Sequence, residues 1–462
     1  MSEPSRAVLR RDAWIVALTA LAARLLVVVW AATRIPPTAD GSFYQTIATR
    51  IARGEGYTWL WPDGVVTYAA HYPVGYPALI GAAYALLGPR PFVAMLVNAI
   101  LGVAGASATH ALAVRATSRR GALVVGLVAA LHVGLLAYTP ALMTEGVTAA
   151  LWVVSAWAAM RAREASSRRA WGWLAGAGAA LAVATLVRPQ SIAIAPWFGW
   201  WAIAPGAGWI ARLRRSVAVT AIAVAMCVPW VVRNQVRLGE AGLSFNGGWN
   251  LLIGATPSAN GSWAPLKVPQ ACREVFDEAK KDDCFGREAA RWIVSHPGTW
   301  LSLAPSKLAV TFDYCGAAGW YLHAANPKAF PYSWKVALGA VETALERVVL
   351  GAALLGLGLA RGPRRRGRLA FGIVALLPLF TQHAWFAYLA IVPMAALFGG
   401  ALASSAFALP ACAGVVAITA LTHAVFFGAG RYGLPVMPLV TALAGGLVVR
   451  GASGSAARSS GA

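Results

Sequence analysis

The chain has 462 residues, of which 58% are hydrophobic and only 12% charged, against about 45–50% and about 25% in an ordinary soluble domain. The apolar residues fall in many separate blocks, which makes the chain an all-α polytopic membrane protein; a soluble fold would lack the polar residues to cover it. Lysine and arginine outnumber aspartate and glutamate 39 to 17, but the excess sits in short loops between apolar blocks, so it orients the chain in a bilayer and nucleic acid is not read as a partner.

Arginine clusters at Arg115–Arg120, Arg161–Arg169, Arg212–Arg215 and Arg361–Arg368 mark the inner side. A first span near Ala13–Thr33 runs outward from Arg6, Arg10 and Arg11 and reads as a retained anchor. Residues 34–88 follow and are too polar to span. Within them Phe43, Ile47 and Ile51 recur at i, i+4 and i+8. That spacing predicts a helix over Gly41–Arg53 lying on the membrane, stopped by Gly54 and Gly56. Pro73–Gly88 predicts a second helix. If it spanned, Arg115–Arg120 would lie outside, so it is placed at the outer interface.

Spans near Pro91–Ala113 and Gly121–Tyr138 come next, then a short outer turn, Thr139–Glu145, and a fourth span into Arg161–Arg169. Trp171–Val187 and Ser191–Ala204 are read as two spans meeting at an outer corner, Arg188-Pro189, because proline disfavours helix at the residue before it. Ser216–Val232 closes a transmembrane module over residues 1–233. Residues 234–335 form a second large outer loop. It holds a Gly/Asn-rich piece from Phe245 to Trp263, an acidic helix over Val268–Ser295 and an interfacial helix over Thr299–Phe312. Residues 336–462 hold the remaining helices, one running inward to Arg361–Arg368 and four short ones within Leu369–Val449. The total is about 12 transmembrane helices. Cys227 and Cys412 read as small core residues. Cys272 and Cys284 lie in the outer loop, where an oxidising compartment permits a disulfide, with Cys315 as a competing partner.

Two acids lie in outer turns. Asp40 precedes the first interfacial helix, where it can serve as an N-cap, as can Thr38. It can equally serve as a general base, taking a proton from an attacking hydroxyl or amine in a partly desolvated cleft. Glu145 is either a first-turn acid facing the helix dipole or a group orienting substrate beside Asp40. Arg188, Arg233 and Arg431 are outer arginines in a chain whose arginine clusters lie inside. Each either pairs with lipid headgroups or clamps a phosphate through its planar fork. Lys307 is a further cationic candidate. His71 and Tyr72 can donate to a sugar or phosphate, or anchor at the interface. Asn246 opens Asn-Gly-Gly, either a simple turn or a backbone anion nest. His383 and His423 have no acid or cysteine at ligand spacing, so no metal site is read. No phosphate-binding GxxxxGK[ST] loop occurs, which argues against a nucleoside-diphosphate donor handled on the inside.

In order along the chain, several motifs resemble the GT-C superfamily of membrane glycosyltransferases. They are Asp40-Gly-Ser-Phe-Tyr44, Gly54-Glu-Gly-Tyr57, His71-Tyr-Pro-Val-Gly-Tyr-Pro77, Thr144-Glu145, Val187-Arg188-Pro189, Pro229-Trp-Val-Val-Arg233-Asn234 and Arg431-Tyr-Gly-Leu-Pro435. Within it the chain is most similar to bacterial relatives of protein O-mannosyltransferases and of the transferase that adds aminoarabinose to lipid A. The resemblance implies a polyprenyl-phosphate-linked sugar donor bound at the outer surface of the cell membrane and a lipid, glycan or protein acceptor; the residues themselves suggest no cofactor. It implies that Asp40 positions or deprotonates the acceptor and that Glu145 is the second acid, although aspartate is more usual there. Tyr44, His71, Tyr72, Asn246 and Tyr432, with Arg188, Arg233, Lys307 and Arg431, are the expected donor-binding groups. Two positions depart from the family pattern: Gly41 stands where many relatives carry another acid, and Tyr72 where the aminoarabinose enzymes carry lysine. The competing readings are a lipid-linked sugar flippase or polysaccharide exporter, for which Glu342 and Glu346 are the only acidic pair in a candidate span, and a non-catalytic assembly subunit.

Overall fold

The computed structural model describes residues 5–313, 316–360, 364–398 and 407–445. Helix α1 (Arg6–Ala31) starts on a Ser5 side-chain cap and runs 26 residues, long enough to cross an apolar bilayer core of about 30 Å. Five other segments share that length and apolarity among the described residues: α4 (Pro91–Ala116), α5 with α6 (Arg119–Ala130, Val133–Ala137), α8 (Ser167–Val187), α10 (Trp209–Leu238) and α19 (Ala408–Val425). Two more long helices, α7 (Glu145–Glu164) and α16 (Tyr332–Leu359), carry more polar residues. Short apolar helices complete the bundle: α3 (Gly75–Leu87), α9 (Ile194–Trp201), α18 (Trp385–Phe398) and α20 (Met437–Ala444). Among the described residues the expected twelve spans thus resolve into six long apolar segments, two long helices that carry more charged residues and a set of short segments.

Three of the basic loops meet at one end. Arg119 clamps buried Asp12 through Nε at 2.6 Å and Nη2 at 2.9 Å. Arg115 pairs with Glu164 at 3.0 Å. Helix α7 runs 20 residues from Glu164 to Glu145, about 30 Å, so Glu145 and the Arg188 corner lie at the other end. The chain returns from that corner differently from expected. Ser191–Ala204 is not one helix but a 3₁₀ turn, Pro189–Ala193, followed by the eight-residue α9. It still reaches the basic end, where Arg215 donates to the carbonyls of Ala162 and Ala202.

The stretch after α1 differs most from the sequence reading. Helix α2 (Asp40–Ala52) forms, but its apolar face is covered by protein rather than lipid. Residues 58–68 make a small antiparallel hairpin, β1 (Thr58–Leu60) with β2 (Val66–Tyr68) in the register Thr58↔Tyr68. Its turn is Asp63-Gly64, with Gly64 at φ 86°. Ile47 is fully buried with Tyr57 and Ala69, and Phe43 stacks on Trp59 at 5.0 Å. An Asp-Gly pair between short β-branched and aromatic runs is the hairpin signal that the helical reading passed over.

In the second outer loop, α11 (Gly247–Ile253) packs on α12 (Glu278–Ser295), which starts on an Asp277 cap and is ten residues shorter than the predicted acidic helix. A Cys272–Cys284 disulfide, Cα atoms 5.9 Å apart, joins a small core with Leu252, Phe285 and Ala289. Cys315, its possible competitor, lies outside the described residues, and Cys227 and Cys412 are free and buried. The predicted helix over Thr299–Phe312 is split into α13 (Pro297–Ser302) and α14 (Ala304–Phe312); Pro305 falls in the first turn of α14, where its missing N–H costs nothing. Helices α15 (Ala317–Ala325) and α17 (Arg365–Leu376) flank α16. Glu342 and Glu346 on α16 are buried, the first accepting from Gly316 N at 2.8 Å and the second from the Tyr388 hydroxyl at 3.1 Å.

Candidate active site

Asp40 is the first residue of α2, and neither it nor Thr38 caps the helix. The N-cap is Ala39, without a side-chain bond, at φ 49° and ψ −131°. A positive φ is a costly conformation for alanine. The Asp40 carboxylate makes no cap bond and is bound by other partners. Oδ1 accepts from the Tyr72 hydroxyl at 2.9 Å, and Oδ2 accepts from Arg431 Nη1 at 3.0 Å.

Tyr72 is held by its backbone and by the second outer loop. The Tyr57 hydroxyl donates to Tyr72 O at 2.7 Å. Phe245 N donates to Ala70 O at 2.9 Å, and Ala70 N donates to Glu278 Oε1 at 2.6 Å. Tyr44 packs edge-on between Tyr72 and Tyr76, with centroids 5.3 and 5.2 Å away.

Glu145 opens α7 and is fully buried. Its Oε1 accepts from Arg188 Nη2, and Arg188 Nε donates to Thr144 Oγ1 at 3.0 Å. Arg431 Nε stands 3.5 Å from the same Oε1, while Glu145 Oε2 is buried without a partner. Arg431 Nη1 also donates to the Tyr321 hydroxyl at 2.7 Å. Tyr432 forms a floor: Arg188 and Arg431 lie 5.1 and 5.2 Å from its ring centroid, and it stacks on His423 at 4.2 Å. Two carboxylates and two guanidiniums therefore balance in charge. The side chains of Asp40, Arg431 and Arg188 remain 24%, 19% and 11% exposed.

The electrostatics follow from this arrangement. Burial opposes ionisation of Asp40, but the Arg431 charge and the Tyr72 and Arg431 hydrogen bonds outweigh it and hold the carboxyl below its ordinary range. Burial and the Asp40 charge push the Tyr72 phenol up, so it stays a donor. Burial pushes His71 down against the pull of Asp282 and Asp40; a ring with a pKa below its usual 6.5 is mostly neutral at pH 7. His71 sits edge-on to Tyr72 at 4.7 Å and to Trp249 at 6.1 Å.

Asp40, Tyr72, Glu145, Arg188, Arg431 and Tyr432 come together, with Tyr44 and His71 behind Tyr72. Arg233, Lys307 and Asn246 do not join them. Arg233 donates to the carbonyls of Tyr57 at 2.6 Å and Ala69 at 2.9 Å and lies 4.8 Å from the Trp230 ring centroid, so it straps the hairpin to α10. Lys307 is fully buried at the C-terminus of α19, donating to Ala424 O at 3.3 Å and Val425 O at 3.1 Å, and burial pushes its pKa down to about 8. Beyond Asn246 the proposed nest is already taken: Asp282 Oδ1 accepts from Trp249 N at 2.8 Å, and a side chain at Gly248 would collide with the Asp282 carbonyl. Sequence reasoning missed Tyr321 and named Thr144 only within the Thr144-Glu145 motif, without a role. Tyr321 sits in the apolar run AAGWYLHAA, where Trp-Tyr reads as an interface anchor.

Residues 71–232 match the model of the dolichyl-phosphate-mannose-protein mannosyltransferase family. That stretch contains Tyr72, Glu145 and Arg188 and ends one residue before Arg233. No curated protein sequence matches the chain. Among solved structures the chain is similar to an oligosaccharyltransferase of Archaeoglobus fulgidus tethered to an acceptor peptide, at 14% identity and TM-score 0.49, covering 96% of this chain and 49% of that one. It is also similar to ArnT from Cupriavidus metallidurans, in the apo state at 16% identity and bound to undecaprenyl phosphate at 18%, each with TM-score 0.41 and covering 96% of this chain and 79% of that one. The chain spans about half the length of the oligosaccharyltransferase structure it matches.

Proposed function

We propose that the chain is a GT-C-type membrane glycosyltransferase that moves a sugar from a polyprenyl-phosphate-linked donor to a lipid, glycan or protein acceptor at the outer face of the cell membrane. One observation carries this reading. Asp40, Glu145, Arg188 and Arg431, from four distant segments, meet in a half-buried cluster at the end of the bundle opposite the basic loops. The match of residues 71–232 to a family of lipid-phosphate-sugar transferases supports it.

In this mechanism the donor phosphate is met by Arg188 and Arg431, whose forks suit phosphate oxygens. Arg431 is shared between Asp40 and Glu145 in the unliganded chain, and the phosphate competes for it. As Arg431 turns to the phosphate, Asp40 loses its counter-charge and becomes a stronger base, still oriented by Tyr72. Asp40 takes the acceptor proton as the acceptor oxygen or nitrogen attacks the anomeric carbon. The bond from that carbon to the phosphate oxygen breaks, and the configuration inverts. The departing lipid phosphate is weakly basic and leaves against the two arginines without a general acid. Glu145, buried and paired, is a positioning residue for both arginines. Arg233, Lys307 and the Asn246 turn hold the framework.

The test is purified protein in proteoliposomes, given labelled polyprenyl-phosphate sugars and candidate acceptors. The expected result is a labelled acceptor and free polyprenyl phosphate. Movement of a fluorescent lipid-linked sugar across the bilayer with its glycosyl bond intact would instead indicate a flippase.

A further inference from the structure

A cavity lies within the helical bundle, walled by α1, α4, α5, α6, α7 and the start of α20 and bordered by Gly146 and Val147, the two residues after Glu145. Its free interior is about 20 Å³, enough for one or two water-sized particles, since one needs roughly 10–15 Å³. A phosphate or sulfate does not fit.

The polar groups of its wall divide sharply. Asn98 is satisfied, donating to Thr139 O at 3.1 Å and accepting from the Tyr76 hydroxyl at 3.1 Å. Thr109 donates to Gly105 O at 2.9 Å. Arg24 and Tyr138, each 2% exposed, are not: Arg24 Nε and the Tyr138 hydroxyl are buried without partners among the described residues. Arg24 Nη1 reaches only neutral carbonyls, Ala20 O at 3.2 Å and Ala130 O at 3.0 Å. No carboxylate lines the cavity. Gly102 makes the room, because a Cβ there would collide with Arg24 Nε.

The cavity wall thus presents one fixed positive charge and two free O–H or N–H donors, with no carboxylate among the described residues that line it, in the apolar part of the bundle. A cation left there without a partner is strongly disfavoured. Water would fill the hydrogen bonds but leave the charge. From this geometry we infer that the cavity is a binding site for a monatomic anion of halide type, held by the Arg24 Nε–H and the Tyr138 O–H. The anion ties α1 to Tyr138, the residue that ends α6 ahead of the turn into α7, and touches none of the groups of the charged cluster.

The experiment compares the full-length protein in chloride, bromide and gluconate at equal ionic strength; gluconate is too large to enter. The unfolding midpoint rises saturably by several degrees in either halide. Tyr138→Phe raises the half-saturating concentration about tenfold, the loss of one charge-assisted hydrogen bond. Arg24→Met removes the halide dependence. Should Arg24→Met fail to fold, crystals of the unaltered protein in bromide decide the matter through an anomalous peak within hydrogen-bond reach of Arg24 Nε and Tyr138 Oη. Equal midpoints in chloride and gluconate, or a bromide-free water peak in the cavity, overturn the assignment.

Discussion

Arg431 Nη1 lies 3.0 Å from Asp40 Oδ2, although 391 positions separate the two residues. The same guanidinium reaches toward Glu145 through Nε at 3.5 Å. One cation is therefore shared by two acids, and a second, Arg188, completes the balance. A neutral cluster of this kind is stable without ligand. An incoming phosphate must draw Arg431 from one acid, and Asp40, the more exposed, is the one it can release.

Removing Arg431 leaves two carboxylates near each other with one cation. Arg431→Gln is expected to cost about 3–5 kcal/mol of stability, the range for breaking a buried pair, and to abolish transfer. Adding Glu145→Gln removes one of the orphaned charges. The double variant is expected to recover stability by about 1–3 kcal/mol relative to additivity while staying inactive. A denaturation-based double-mutant cycle measures the coupling; strict additivity would mean the two groups do not interact.

The Asp40 carboxyl is held below its ordinary value of 3.8, the Arg431 charge outweighing burial. Folding favours the ionised form. Its contribution to stability is full above the unfolded value and is lost as pH falls through the lower folded one. The acid limb of kcat/KM, which reports the free enzyme, is expected below about pH 4. The limb of kcat, which reports the donor-bound state with Arg431 turned away, is expected at higher pH. Coincident limbs would argue against the transfer of Arg431 from Asp40 to phosphate.

Glu278 behaves oppositely. Burial raises its carboxyl to about 7, against the Ala70 N–H and the Arg233 charge. A raised acid stabilises the fold most below its unfolded value near 4.5, and that stability falls as pH rises toward 7. Docking of the second outer loop on residues 69–72 is expected to tighten on acidification. Protection of the Ala70 amide from hydrogen exchange, followed between pH 7.5 and 5.5, reads it, and Glu278→Gln is expected to flatten the dependence.

Arg233 is expected to matter for the framework rather than for phosphate. Arg233→Met frees the carbonyls of Tyr57 and Ala69 and loosens the hairpin. The expected signature is faster proteolysis within residues 57–70, with kcat at saturating donor changed only a few-fold. A selective loss of donor affinity with an intact hairpin would return Arg233 to the phosphate site.

Charge topology made half of the site legible. An arginine outside the basic loops needs a partner, which singled out Arg188, Arg233 and Arg431 alike. It could not name the partner: two met carboxylates, and Arg233 met main-chain carbonyls, which have no sequence signature. Asp40 before a helix reads as a cap, but Ala39 takes the N-cap position and Asp40 is the first helical residue, its carboxylate bound elsewhere. The stripe of Phe43, Ile47 and Ile51 was correctly helical, but periodicity says that a face is buried, not by what. Here the cover was the 58–68 hairpin. Tyr321 was illegible because its hydroxyl gains meaning only when Arg431 arrives from the far end of the chain.

The most direct test of the account is Asp40→Asn in the reconstituted transfer assay. The substitution keeps the shape and hydrogen-bonding reach of the side chain and removes its basicity. The account predicts that the variant folds, binds the polyprenyl-phosphate donor and loses transfer by about 10²–10⁴-fold, the range for a general base. Turnover close to that of the unaltered protein would contradict it.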